Sequence, residues 1–179
     1  MSFFITSDNP GERANLGGLE GADAYCSSLA EAAGVSGKTW RAYLSSSAED
    51  ARDRIGTGPW VNAEGVEVAS DVDMLHGESN NLTKETALSE TGAAINGRGD
   101  TPNRHDILTG TSLDGRLEGE ACSDWTSGGE GSTMVGHHDR TGGGANPTSW
   151  NSGHPSRGCS LEALRGTGGD GLFYCFATN

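Results

Sequence analysis

Long apolar runs are missing from this chain. No segment approaches the roughly 20 consecutive apolar residues that a membrane-spanning helix needs, which argues against insertion into a bilayer. Aliphatic content is low: Leu, Ile, Val and Phe together make 27 of 179 residues, and aromatics only 6%. With so few of these and 29 Gly, a long helical bundle or a doubly wound enzyme is a poor fit. Basic residues are few, 12 Lys and Arg against 25 Asp and Glu, for a formal charge of −13. That balance excludes nucleic acid, heparin-like polyanions and anionic membranes as main partners, because each is bound through basic patches. It leaves cations and neutral sugars. No Cys-x-x-Cys pair is present, so a zinc ribbon or thioredoxin-like centre is not expected. Also missing are a Gly-x-Ser-x-Gly elbow, a Gly-rich phosphate loop before a helix and a His-Glu-x-x-His helix.

Low apolar content with high net charge normally describes a disordered chain. Here four Cys, four Trp and several short apolar runs are distributed as in a folded domain. The length suits one domain over residues 1–179, able to bury roughly 70% of its unfolded surface. No repeat or low-complexity linker marks a boundary. Cys26, Cys122, Cys159 and Cys175 are even in number and widely spaced. Two disulfides, each contributing about 2–4 kcal/mol, would support a sparse core, and they imply an oxidising, extracytoplasmic location: secreted, periplasmic or cell-surface. Spacing alone leaves three pairings open. Met1-Ser2-Phe3-Phe4-Ile5-Thr6 is too short and too poor in basic residues for a signal peptide, so the sequence reads as a mature chain.

Phe3 to Thr6 reads as a strand, stopped by the turn residues Asp8-Asn9-Pro10-Gly11. Leu19, Ala22, Cys26, Leu29 and Ala33 recur at helical spacing and Gly34 closes the pattern. Trp40 to Leu44 alternates as a strand. Residues 60–62 and 66–68 flank Ala63-Glu64-Gly65 as a hairpin. Residues 76–105 read as a long polar surface loop, 107–109 and 113–122 carry short strand signals, and 172–176 form a last buried strand. Residues 126–160 hold nine Gly interleaved with His, Asn and Trp, a loop-rich region suited to a site rather than to core.

Four stretches carry a resemblance: Gly18-Leu19-Glu20-Gly21-Ala22-Asp23-Ala24-Tyr25-Cys26, Trp40-Arg41-Ala42-Tyr43-Leu44-Ser45-Ser46, Asp114-Gly115-Arg116 leading to Cys122-Ser123-Asp124-Trp125, and Leu172-Phe173-Tyr174-Cys175. In order and rough spacing the chain resembles the C-type lectin-like superfamily, in particular its endostatin (collagen NC10) branch. It is similar also to bacterial proteins described as lectins, around Gly136 to Arg140 and Ser149 to Ser152. The resemblance implies an α+β fold with mixed, mostly antiparallel sheets, one main N-terminal helix and long loops. It also implies the pairings Cys26–Cys175 and Cys122–Cys159. Heparan sulfate binding and the N-terminal histidine zinc site of endostatin-like domains do not carry over: the chain is acidic and no His precedes His76.

Calcium-dependent lectins of this superfamily follow a Glu-Pro-Asn-type tripeptide with Trp-Asn-Asp. Here Trp150-Asn151-Ser152 stands in that place with a carboxylate lost, and Thr101-Pro102-Asn103 and Ala145-Asn146-Pro147 both depart from the tripeptide. Asp139 and Asn151, joined by Glu120 (or by Glu118 or Asp124), offer an alternative oxygen set for calcium. Trp150 suits stacking on a sugar ring, or core packing. His137 or His138 can add a hydrogen bond, though neighbours on a strand face opposite ways and seldom share one ion. Arg140 and Arg157 can pair with loop carboxylates or donate to hydroxyls. The expected function is therefore carbohydrate binding, calcium-assisted and without catalysis, through residues 136–157: His137, His138, Asp139, Arg140, Trp150, Asn151, Ser152 and His154. One rival is a protein-binding adhesin module on the same loops. Another is a metal-dependent hydrolase built on His137, Asp139 and His154. Arg98-Gly99-Asp100 spells the integrin tripeptide, which arises often by chance, and Asn81-Leu82-Thr83 is a glycosylation sequon only in a eukaryotic secretory pathway.

Overall fold

The computed structural model describes residues 1–11 and 13–179. In chain order the elements are β1 (Phe3–Ile5), α1 (Gly18–Ala32), β2 (Trp40–Ala42), α2 (Ala51–Arg54), β3 (Trp60–Val61), β4 (Glu67–Ala69), α3 (Val72–His76), β5 (Asp106–Leu108), α4 (Cys122–Trp125), β6 (Met134–His137), β7 (His154–Pro155), α5 (Leu161–Arg165) and β8 (Gly169–Ala177). This is an α+β arrangement with one long helix, a mixed six-stranded sheet and a separate β3–β4 hairpin.

β8 is the centre of the sheet because its sequence permits burial on both faces. All nine of its residues are buried. Leu172, Tyr174 and Phe176 join one core cluster with Phe3, Ile5, Tyr43, Trp60 and Trp150. Phe173, Cys175 and Ala177 join the other with Phe4, Trp40, Leu44 and Trp125. A continuous apolar run of this kind is what a strand covered on both sides requires, and burying Leu172, Phe173 and Phe176 stabilises by about 1.5–3 kcal/mol each. β1 and β2 pair antiparallel with its C-terminal half, and β5 pairs parallel with its N-terminal half. β6 runs antiparallel to β5, and β7 antiparallel to β6.

α1 forms where the apolar spacing places it, covering the sheet with Ala22, Cys26 and Ala30. Asp23 is also buried there. It accepts from Arg54 Nη2 at 2.9 Å, Arg41 Nη1 at 2.7 Å and the Ala42 amide at 2.8 Å. Cys26 bonds Cys175, and Cys122 bonds Cys159, the pairing the resemblance implies. At the second bridge α4 is a left-handed turn: Cys122, Ser123, Asp124 and Trp125 all have φ between 48° and 65°.

Three expectations need correction. Residues 76–105 are not a surface loop: Leu82, Ala87 and Ile95 are buried in the second cluster, and Leu88 is buried beside them in sequence. Short apolar residues scattered among polar ones gave no periodicity there, yet each fills the sheet's flank. Residues 113–122 form no strand, only the isolated bridge Thr111–Leu117, because Asp114-Gly115 turns the chain back with Gly115 at φ 83°. Residues 126–160 are also more deeply embedded than their composition suggests: His137, His138, Trp150, Asn151 and Ser152 are at most 2% exposed. Cis peptides precede Pro59 and Pro102.

Candidate metal centre

The register of three strands assembles the site. Asp106, the first residue of β5, lies directly opposite His137 on β6. His154 on β7 pairs with Val135, which places it diagonal to His137, within reach of a long side chain on the same face. His105, just before β5, stacks its ring on His137, with centroids 4.7 Å apart and planes at 13°. Asp106 and His137 are essentially inaccessible, while the His154 side chain is 18% exposed.

Three imidazoles meet one carboxylate oxygen. His105 Nε2 lies 3.1 Å, His137 Nε2 3.4 Å and His154 Nε2 3.6 Å from Asp106 Oδ1. On each ring the other nitrogen faces a carbonyl: His105 Nδ1 to Thr141 O at 3.0 Å, His137 Nδ1 to Pro147 O at 2.8 Å and His154 Nδ1 to Pro155 O at 3.0 Å. Donation from Nδ1 fixes the tautomer and leaves an Nε2 lone pair turned towards Asp106. Among the described residues, both Asp106 carboxylate oxygens and His137 Nε2 are buried without a hydrogen-bond partner. Buried polar atoms are rarely left so, and a carboxylate among nitrogen lone pairs has a cation as its natural complement.

With no ion bound, the carboxylates set the charge on the imidazoles. The Asp106 carboxylate pushes the His154 pKa up. Burial opposes protonation of His105, yet the Asp139 and Asp106 carboxylates outweigh it and raise its pKa. His137, with burial dominant, is pushed down and stays neutral. Asp139 sits behind His105, with Oδ1 at 3.5 Å from Nδ1. Burial opposes its ionisation, but hydrogen bonds from His105 and from the Arg98 and Thr141 amides hold its carboxyl well below the usual range.

Glycine makes room for these rings. A Cβ on Gly142 would overlap the His137 ring, one on Gly153 would lie 2.8 Å from it, and one on Gly168 would lie 2.8 Å from His105 Cδ2. Part of the glycine richness of this region is thus close packing around imidazoles.

Of the expected site residues, the structure brings together His137 and His154. Asp139 orients His105 from behind. His138 faces away from His137, its Nε2 against Asn96 O at 3.1 Å, with burial pushing its pKa down. Arg140 forms no ion pair among the described residues and lines a cavity with Trp150 and Asn151. Its guanidinium clips two loops together through Leu82 O, Thr148 O and Asn80 Oδ1.

Trp150 is core, 2% exposed, donating Nε1–H to Leu75 O at 3.0 Å, so it offers no ring face to a sugar. Asn151, expected on a solvated loop, is 1% exposed; its amide donates to Tyr43 Oη and Ser112 O, and its Oδ1 accepts from Ser149. Ser152 is equally buried, its amide bonded to Ser149 Oγ. Glu120 is exposed. With the Asn151 oxygen occupied and the Asp139 oxygens already accepting N–H donors, these residues do not offer calcium its shell of six to eight oxygens. Asp100 of the Arg-Gly-Asp tripeptide is held by Lys84 at 2.6 Å. His105 and Asp106 were missed because the stretch ending at 105 reads as surface loop. The available signal was a His-Asp pair at the mouth of a strand.

No protein-family model matches this chain, and no curated protein does.

Proposed function

We propose that the protein is an extracytoplasmic metal-binding domain that holds a zinc ion with His105, Asp106, His137 and His154. One observation carries this reading: three Nε2 atoms lie 3.1–3.6 Å from Asp106 Oδ1. Zinc bonded tetrahedrally at about 2.0–2.1 Å has ligand-to-ligand edges of about 3.3 Å. Three imidazoles with one carboxylate suit zinc, whereas calcium and magnesium take oxygen shells. His105, Asp106 and His137 form the compact part of the set, their ligand atoms within 4.8 Å of one another; His154, 3.6 Å from Asp106, would close the fourth position of a structural ion, and no turnover is expected of that arrangement. The two disulfides support an oxidising location. The C-type lectin-like, endostatin-like fold is our reading of the architecture, supported by a first Cys on the N-terminal helix bonded to the last strand.

Zinc content tests the function directly. The chain purified without chelator should retain about one zinc, and His137→Ala and Asp106→Asn should lose it while circular dichroism shows a folded chain. A wild-type chain that takes up no zinc at micromolar supply sinks the proposal.

Glycan recognition remains a second reading. It is favoured by a cavity of about 650 Å³ whose lining includes Glu78, Arg140, Asn146, Thr148 and Ser149. The same surface suits a protein partner. A glycan array separates the two, because binding abolished by substitution at Thr148 and Asn146 requires a sugar site there.

A further inference from the structure

A second cavity, of about 510 Å³, opens directly beside the histidine cluster and shares His105 and His154 with it. Its lining also includes Arg98, Arg157, Asn103 and Thr167 and, among the described residues, no Asp or Glu. That is unusual for this chain, in which carboxylates outnumber cations 25 to 12. Most other arginines are matched to carboxylates: Arg41, Arg52, Arg54, Arg104, Arg116 and Arg165 all form ion pairs. Among the described residues, the side chains of Arg98 and Arg157 have no ion-pair or hydrogen-bond partner. Two exposed arginines thus line one space together with Asn103 and Thr167.

We propose that this cavity binds a small oxyanion, a carboxylate or phosphate group, clamped by Arg98 and Arg157 at the edge of the metal centre. Guanidinium forks match the paired oxygens of either group. Asn103 and Thr167 add neutral donors. The inference rests on the zinc reading for one contribution: a dication behind His105 and His154 adds positive potential to the cavity. The acid excess elsewhere repels anions from the rest of the surface, so selectivity for this one spot follows from charge distribution.

Calorimetric titration of the zinc-loaded full chain tests this, with sodium phosphate in one arm and sodium succinate in the other, at fixed ionic strength. Saturable binding is expected in at least one arm, and the arm that responds identifies the group. Arg98→Gln and Arg157→Gln should each weaken it about tenfold, the loss of one charge-assisted hydrogen bond, with zinc content unchanged. No saturable heat in either arm, or affinities indifferent to both substitutions, overturns the proposal. Should the wild type fail to take up zinc, the metal reading falls separately. The same arms run on the metal-free chain then decide the cavity: arginine-dependent binding upholds it, and its absence overturns it.

Discussion

The His137 ring has glycine close by at both Gly142 and Gly153, and that close approach is where a single methyl group does most harm. In Gly153→Ala the new Cβ meets the ring at 2.8 Å, so the imidazole must move off the position that Pro147 O sets for it. Disturbing the support of a metal ligand costs roughly 10–100-fold in affinity. Competition against a chromophoric chelator should show zinc binding weakened by that factor, and an unchanged affinity would contradict the geometry. Only part of this was legible in the sequence. His137 and His154 stand out among glycines, and strand alternation correctly separates His137 from His138. His105 and Asp106 join them only through the pairing of β5 with β6, a relation across 31 residues that no local pattern encodes. Trp150 and Asn151 look like ligand residues in a polar stretch. Their burial comes from contacts with Tyr43, Leu75 and Tyr174, which lie far away in sequence.

Elements with a strong period were readable, and those without one were not. α1 and β8 declare themselves through 3.6-residue spacing and a continuous apolar run. α2, α3 and α5 are four or five residues long, too short for periodicity to register, although Asp71 and Ser160 cap two of them through the Met74 and Ala163 amides. The left-handed turn α4 has no sequence signature. Each of its four residues carries about 1–2 kcal/mol of backbone strain. Offsetting contacts are visible: the Trp125 indole donates to Ser45 O at 2.8 Å, and Asp124 accepts from the Ser47 amide and hydroxyl. α1 is held to β2 and α2 by Asp23, whose partner Arg54 has a side chain only 4% exposed. Asp23→Ala would leave that guanidinium only the half-exposed Glu49, at 3.1 Å, and Ala42 O, a defect of about 3–5 kcal/mol. Urea unfolding should show a midpoint lowered accordingly with an unchanged slope; a loss below about 1 kcal/mol would mean that Glu49 alone suffices for Arg54.

For the whole molecule, 27 aliphatic and Phe residues in 179 leave unusual weight on covalent links. Cys26–Cys175 spans 149 residues and Cys122–Cys159 spans 37. Closing loops of these sizes stabilises by about 3–5 kcal/mol each on the chain-entropy account. Reduction should therefore lower the melting temperature by more than about 10 °C, measured on chelator-treated protein so that metal plays no part. Coincident melting curves with and without reductant would show that the core stands without them.

The position of β8 has a consequence for how such a chain comes into being. β1, β2 and β5 all hydrogen-bond to it, yet among the described elements it is the last to leave a ribosome or a translocation channel. Until it emerges, β1, β2 and β5 have no common neighbour, and Cys26 waits without Cys175. Only the β5–β6–β7 part of the sheet can assemble before it. Joining β1 and β2 to the rest of the sheet therefore waits on contacts of long sequence separation, which form slowly.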